Sequence, residues 1–237
     1  MKVTLLGAGG PTGRLLLDKL LSDGHDVTAL VRRPPGFPAS APRLRVLHGD
    51  ATTPADVCAA VADADAVVSV LGTGFSRQPI HLYSASAQAI CSALAQAGIR
   101  RLIVTSSAAL SDWTDPGWNW GERVVGRRIL GYLGRTLYAD MAGMEAIVSA
   151  SSLDWTIMRP LGLATMDAPT TYRIAEDHIP GRQTARRDLA AAIADQLSRT
   201  DYHGKTVAVA TADKHQSLAR TLWREGIKPN LACTSQR

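Results

Sequence analysis

Lysine is nearly missing from this chain of 237 residues. Its five lysines stand at positions 2, 19, 205, 214 and 228, so 21 of the 26 basic residues are arginine and none between Lys19 and Lys205 is lysine. Any chemistry that needs an ammonium group in the middle of the fold is thereby excluded. Cysteine is scarce too: Cys58, Cys91 and Cys233 are odd in number and widely spaced, with no CxxC pair and no histidine at ligand spacing. That pattern argues against a structural zinc and for a reducing, cytoplasmic setting. No stretch approaches the roughly 18 consecutive apolar residues of a membrane span. The apolar start Val3 to Leu6 runs into glycines and Arg14 instead of a cleavage site. A soluble protein with neither signal peptide nor membrane partner is expected.

Against these absences, 46% of the residues are apolar and 20% charged, the balance of an ordinary globular protein, which rules out disorder for the bulk. The net charge of +5 is spread over scattered pairs such as Arg43/Arg45, Arg100/Arg101 and Arg127/Arg128, so no nucleic-acid partner is expected. The length fits one large domain, residues 1–237, and no repeat or composition break divides it.

Short β-branched runs alternate with helical stretches through the first third, the pattern of βαβ units building a parallel sheet. Strands are expected at Val3 to Leu6, Asp26 to Val31, Leu44 to Leu47, Ala66 to Leu71, Arg101 to Thr105, Trp155 to Met158 and Thr206 to Ala210. Helices are expected at Pro11 to Ser22, at Pro54 to Val61 with Thr53 as its cap, at Pro79 to Ala97 and at Arg187 to Ser198. Glu122 to Ser151 reads as helix broken by glycines, and Asp213 to Gly226 as a further amphipathic helix.

The first strand and first helix are joined by Gly7-Ala8-Gly9-Gly10-Pro11-Thr12-Gly13-Arg14. The glycines at 7, 10 and 13 form GxxGxxG, while the stricter GxGxxG fails at Thr12. Glycines let a backbone turn tightly and approach a pyrophosphate, whose charge is met by the open amides and positive end of the helix. In this strand-to-helix context the loop points to dinucleotide binding.

Here the sequence resembles the short-chain dehydrogenase/reductase superfamily, and more closely its atypical NmrA-like NAD(P)H-binding branch, which includes the flavin/biliverdin-IXβ reductases. The resemblance spans roughly residues 1–210. Besides the glycine loop it rests on Val104-Thr105-Ser106-Ser107, on Leu153-Asp154-Trp155-Thr156-Ile157-Met158-Arg159-Pro160 and on Arg187-Asp188-Leu189-Ala190. It implies an α/β, Rossmann-like, doubly wound parallel sheet of seven strands in the order 3-2-1-4-5-6-7. By the same resemblance, Asp50 and Ala51 correspond to the adenine contact and Leu71, Gly72 and Thr73 to the segment passing the adjacent ribose. Pro160, Leu161 and Gly162 correspond to the backbone beside the nicotinamide. Asp50 reads equally as a turn residue after Gly49.

A site for the unphosphorylated cofactor would place Asp or Glu about 20 residues past the glycines, but strand two ends Leu30-Val31-Arg32-Arg33. A guanidinium binds a 2′-phosphate through paired charged hydrogen bonds, so NADP(H) is favoured over NAD(H). No metal is expected, since none of the six histidines has a partner at ligand spacing. His81, at the approach to the long helix, reads as a surface or capping residue.

Typical superfamily members move a proton with a Ser, a Tyr and a Lys four residues after the Tyr; the Lys lowers the phenol pKa. Tyr138 has Ala142 at that place. Without a lysine Tyr138 stays protonated, fit to donate a hydrogen bond but poor as a base, and an ordinary alcohol dehydrogenase is disfavoured. Ser106 and Ser107 remain as hydroxyls for a substrate carbonyl or the nicotinamide amide, with capping as their plain structural role. Arg159 reads as an ion-pair partner. Loops 72–78, 106–121 and 160–180 are expected to form the pocket. Trp113, Trp118 and Trp120, three of only twelve aromatic residues, fall in one of them. They read equally as a stacking face for a planar substrate and as packing for the loop, with Phe75, Tyr132, Tyr138 and Met166 as further lining. The expected function is NADP(H)-dependent reduction of a planar aromatic acceptor, a quinone, flavin or polycyclic polyketide. Its alternatives are tailoring in which the reduced quinone reacts with oxygen, and a non-catalytic NADP(H)-sensing regulator. Oligomeric state is not legible.

Overall fold

A computed structural model describes residues 1–32, 37, 41–111, 134–166 and 170–212. Strand β1 (Lys2–Leu6) feeds through the glycine loop into α1 (Pro11–Ser22), which Pro11 starts at its first position, where a missing amide hydrogen costs nothing. Leu16, Leu17 and Leu20 of α1 are fully buried and Leu15 is half-buried. Next come β2 (Asp26–Val31), β3 (Leu44–His48), α2 (Pro54–Val61) and β4 (Ala66–Ser69). The Ala-rich α3 (Leu82–Ala97) stops at Gly98, which takes the left-handed conformation at φ +70 and returns its amide to Leu94. Then follow β5 (Arg101–Thr105), a 3-10 turn at Ala108–Leu110, α4 (Arg135–Ser149) and β6 (Asp154–Pro160). The chain continues through β7 (Gly162–Ala164), β8 (Tyr172–Glu176), β9 (Gln183–Ala185), α5 (Arg186–Asp195) and β10 (Lys205–Thr211).

The main sheet runs β3-β2-β1-β4-β5-β6-β10-β8. All of its neighbours are parallel except β8, which lies antiparallel on β10. Successive side chains of a strand point to opposite faces, so both faces of each central strand must be apolar. On one face Val3, Leu5, Val27, Ala29, Val68, Ile103, Met158 and Val207 meet α1 and α5 through Leu16, Leu20, Leu189 and Ile193. On the other, Leu6, Leu30, Val67, Leu102, Val104 and Ile157 meet α2, α3 and α4 through Val57, Ile90, Leu94, Met144 and Val148. Fully burying each such side chain is worth about 1.5–3 kcal/mol, so these two layers are the main favourable term in folding.

The expected order holds, with β10 as the seventh strand. The structure adds β8 at the edge and a separate parallel pair, β7 with β9. Neither addition has a readable pattern: β7 and β9 are three residues each, and Tyr-Arg-Ile-Ala-Glu of β8 is only half-buried. Pairing with β10 decides β8, through the register Val209↔Ile174. The small pair is held by buried Asp188 and its neighbours. Asp188 accepts from the hydroxyls of Thr170 at 2.7 Å and Thr211 at 2.6 Å, while Thr211 takes the amide of Ala185 at 2.7 Å.

Two local expectations are corrected. Thr53 stands at the N-cap of α2 but its side chain makes no cap bond; Asp56 reaches back instead to the Asp50 amide at 2.8 Å. Helix α3 starts at Leu82, not Pro79, and His81 at its N-cap makes no side-chain cap bond. The helix expected at 213–226 lies outside the described residues.

The glycine turn is where α1 comes closest to the sheet. A Cβ at position 13 would stand 2.0 Å from the Gly7 carbonyl oxygen and 2.8 Å from the Ala8 Cα, both backbone atoms that cannot step aside. Helix propensity alone would favour alanine there by about 1 kcal/mol. The clash outweighs it: Gly13→Ala is expected to lower the Tm by about 3–10 °C, the range in which overpacking of about 1–3 kcal/mol falls. Thermal unfolding of the variant checks this, and an unchanged or raised Tm refutes it.

Candidate functional site

Because the strands run parallel, the segments that leave their C-terminal ends gather at one edge of the sheet. The residues singled out in the sequence come to this edge from β1, β2, β3, β4, β5 and β6 in turn.

The glycine loop leaves β1. Gly7 takes φ +90, and a Cβ there would lie 2.6 Å from the Val70 carbonyl oxygen. Its own carbonyl accepts the Gly10 amide at 3.0 Å. Gly7 and Gly13 therefore serve the packing of α1 on the sheet. Gly9 differs, since a Cβ there would meet nothing within 4 Å. The first bond of α1 is donated by the Arg14 amide to the Gly10 carbonyl at 2.9 Å, so the amides of Thr12 and Gly13 lie ahead of it at the positive end of the helix. Arg14 is exposed, donates Nε to the Gly9 carbonyl at 3.3 Å and lies over the Phe37 ring. Thr12 is buried, and its hydroxyl accepts from Arg186 Nη1 at 3.1 Å, so the first residue of α5 reaches the glycine turn.

From β2, Arg32 is exposed and its carbonyl is bound by the His48 ring at 2.7 Å, which ties the ends of β2 and β3 together. Arg33 lies outside the described residues. Asp50 follows β3. Its carboxylate accepts the amide of Thr52 at 2.8 Å and the hydroxyl at 2.7 Å, the turn role read from the sequence. Those two bonds, with a smaller contribution from the Arg32 charge, hold its pKa below the ordinary carboxylate value against the opposing effect of burial. Ala51 is buried beside it.

After β4, Leu71 is half-buried and Gly72 and Thr73 are exposed, and the Thr73 amide donates to Tyr83 Oη at 3.3 Å. Phe75 meets Tyr138 edge-to-face with ring centres 6.5 Å apart, and Thr136 donates to the Ser76 carbonyl at 2.8 Å. Leu71, Phe75, Leu110 and Tyr138 line one side of the apolar layer under α3 and α4. Burial pushes the Tyr138 phenol pKa up from its ordinary value near 10. The next turn of its helix offers Ala142, so the phenol keeps its proton at neutral pH.

After β5, Ser106 donates its amide to the Met158 carbonyl at 2.8 Å, yet Ser106 Oγ and Thr105 Oγ1 are buried with no partner among the described residues. Buried polar atoms are nearly always paired, and these two hydroxyls at a strand end are exceptions among the described residues. Ser107 instead caps the 3-10 turn by accepting the Ala109 amide at 3.2 Å. After β6, Arg159 is paired bidentately with Glu145, as read. Pro160 is buried, the Leu161 amide is bound by Thr184 Oγ1 at 2.9 Å, Gly162 is exposed and opens β7, and Met166 is half-buried. Trp113, Trp118, Trp120 and Tyr132 lie outside the described residues. Among those described, no group of three or more His, Cys, Asp or Glu is placed to hold a metal, and no helix is long and apolar enough to cross a membrane.

Tyr83, Asp140 and Arg186 belong to this edge and were not legible. Asp140 follows Tyr138 by two residues in a segment read only for its missing lysine, and Arg186 directly precedes the Arg187-Asp188 motif. A dinucleotide fits what is present: open space at Gly9, free amides at a helix start and orphaned hydroxyls at β5.

A family model described as NAD(P)H-binding matches residues 7–200. The chain is 29% identical over 221 residues to the Bacillus subtilis protein named uncharacterized sugar epimerase YhfK, covering 90% of this chain and 95% of that protein. Among solved structures, a short-chain dehydrogenase/reductase of Veillonella parvula in complex with NADP superposes with a TM-score of 0.74 at 22% identity, over 91% of this chain and 96% of that one. The oxidoreductase ylbE of Lactococcus lactis gives 0.72 at 18% identity, over 94% and 96%.

The open space at Gly9 separates fold from binding. Gly9→Ala is expected to keep the Tm of the free protein within about 2 °C, as surface substitutions do. If the glycine loop holds the pyrophosphate, the new methyl is expected to weaken a bound dinucleotide by at least about tenfold. Thermal unfolding and NADPH titration by fluorescence check both halves; undiminished binding refutes the second.

Proposed function

The chain belongs to the NAD(P)H-binding family, and on that premise we propose that it is an NADPH-dependent reductase that sets a planar aromatic acceptor, of quinone, flavin or polycyclic polyketide type, against the nicotinamide. The single observation that carries the reading is that the buried hydroxyls of Thr105 and Ser106 have no partner among the described residues, at the edge where the glycine loop leaves Gly9 open. Gly7, Gly9, Gly10, Pro11, Thr12, Gly13 and Arg14 would hold the pyrophosphate. Arg32 and Arg33 would hold the 2′-phosphate, and the exposed guanidinium of Arg32 supports NADP(H) over NAD(H), as does NADP in the Veillonella neighbour. Asp50 and Ala51 would meet the adenine, Leu71, Gly72 and Thr73 the ribose, and Thr105, Ser106, Pro160, Leu161 and Gly162 the nicotinamide side. When bound, the cofactor supplies a hydride donor.

The chain's own contribution is placement. Ser106 offers a buried hydroxyl to a carbonyl oxygen. Ser107 is engaged in its turn and supports the segment. Tyr138, its proton kept by burial and by the absence of a lysine, donates a hydrogen bond and forms an apolar wall with Phe75. Met166, Trp113, Trp118 and Tyr132 would complete the acceptor pocket. Such a site suits a quinone, because hydride addition leaves a hydroquinone anion stabilised by its own ring and demands no strong acid. Sugar epimerisation, which begins with removal of a carbinol proton by a base, is disfavoured, since no group among the described residues lowers the Tyr138 pKa.

NADPH oxidation against a panel of quinones and flavins, with and without oxygen, tests the proposal. Turnover with at least one acceptor is expected, and tight NADPH binding without any turnover would turn the reading to a cofactor-sensing regulator. Within that assay Tyr138→Phe is expected to lose about tenfold at most, the value of one neutral hydrogen bond, and native kcat to show no phenol ionisation between pH 6 and 9. A thousandfold loss overturns the hydrogen-bonding role. Arg32→Ala is expected to weaken NADPH by about 10- to 150-fold and NADH far less. Tighter NADH than NADPH binding by the native protein refutes the cofactor assignment.

A further inference from the structure

We propose that Asp140 is a positioning residue for the cofactor: from the helix that carries Tyr138 it fixes the start of α3, and Tyr83 passes that placement to the loop after β4. The inference rests on the NAD(P)H-binding reading above and adds to it a link between the acceptor side and the cofactor side of the site.

Helix α3 starts beside that loop without a side-chain cap of its own. The free amides of its first turn are met instead from α4. The carboxylate of Asp140, only 6% exposed, accepts the Tyr83 amide at 2.8 Å, the Ser84 amide at 3.2 Å and the Ser84 hydroxyl. A carboxylate against first-turn amides and the positive end of a helix is a charge-assisted cap, and here it comes from a different helix. It holds the backbone of Tyr83, a residue 3% exposed whose hydroxyl takes the Thr73 amide at 3.3 Å. Burial pushes the Tyr83 pKa up to about 12, so the hydroxyl stays neutral through the working range.

Helix α4 holds the same loop at two more points, Thr136 on the Ser76 carbonyl and Tyr138 on the Phe75 ring. At its other end the loop adjoins Val70, the residue against which Gly7 of the glycine turn is packed. Residues 71–76 thus run from the glycine turn to the Tyr138 wall, held by α3 and α4. A shift in Asp140 reaches Thr73 through one backbone and one ring, both buried.

Tyr83→Phe removes the hydroxyl alone and keeps the ring. Its expected result is an NADPH dissociation constant three- to tenfold higher, measured by fluorescence titration, with the KM for NADPH rising more than kcat falls and the Tm within about 2 °C of native. Asp140→Ala is expected to raise the dissociation constant by a similar factor. Asp140→Asn keeps one oxygen and sets an NH2 against the other donor, so it is expected to restore only part of the affinity lost in Asp140→Ala, and the double variant Asp140→Ala/Tyr83→Phe to be no worse than the weaker single one. If the native protein binds NADPH and Tyr83→Phe binds it equally well, the inference is overturned while the reductase reading stands. If Asp140→Ala lowers the Tm but not the affinity, Asp140 is a helix cap only and the inference falls. Should Asp140→Ala fail to fold, Tyr83→Phe decides alone. No NADP(H) binding by the native protein overturns both readings.

Discussion

The contact between Gly13 and the Gly7 carbonyl sets the depth at which α1 sits on the sheet, and the site is built around that depth. With no side chain on either residue, the helix start lies directly against the end of β1, while Gly7 fits against Val70 at the end of β4. The amides of Thr12 and Gly13 therefore lie ahead of the first helix bond, at the start of α1. Bringing α1 close also brings Arg186 of α5 to the Thr12 hydroxyl, since α1 and α5 share one apolar layer.

On the opposite face the organising group is a buried carboxylate. Asp140 joins α4 to α3 across the layer that contains Phe75 and Tyr138, so the loop after β4, the proposed cofactor segment, and the proposed acceptor wall share supports. The missing lysine changes the chemistry of this wall without disturbing its architecture. Ala142 is exposed on the next turn of the helix, and burial holds the Tyr138 phenol pKa up, so the phenol remains a donor. The proposed site would accelerate by holding reactants together, which suits the proposed acceptors, whose reduced form is stable as an anion.

Much of the fold was legible because βαβ repetition is a local pattern. Runs such as Val67-Val68 or Leu102-Ile103-Val104, apolar at every position, announce strands covered on both sides, and Pro11 and Gly98 mark helix ends by backbone preference alone. The glycine spacing announced the tight turn between β1 and α1, although which glycines serve the fold and which leave space became visible only with neighbours in place. Strands β7, β8 and β9 carried no signal, because three residues set no period and a half-buried edge strand is selected by its partner β10.

The sequence by itself determined the parallel sheet, the glycine turn at its first strand end and the absence of a Tyr-Lys pair, because each is written in residues close together in the chain. Tertiary structure alone decided that Ser106 is left without a hydroxyl partner among the described residues while Ser107 is occupied, and that Asp140 caps a helix starting 58 residues earlier, at Leu82. It also brought Arg186 to Thr12, 174 residues away. Such partnerships depend on distances across the fold and on which atoms burial leaves without water, and neither is encoded in spacing along the chain.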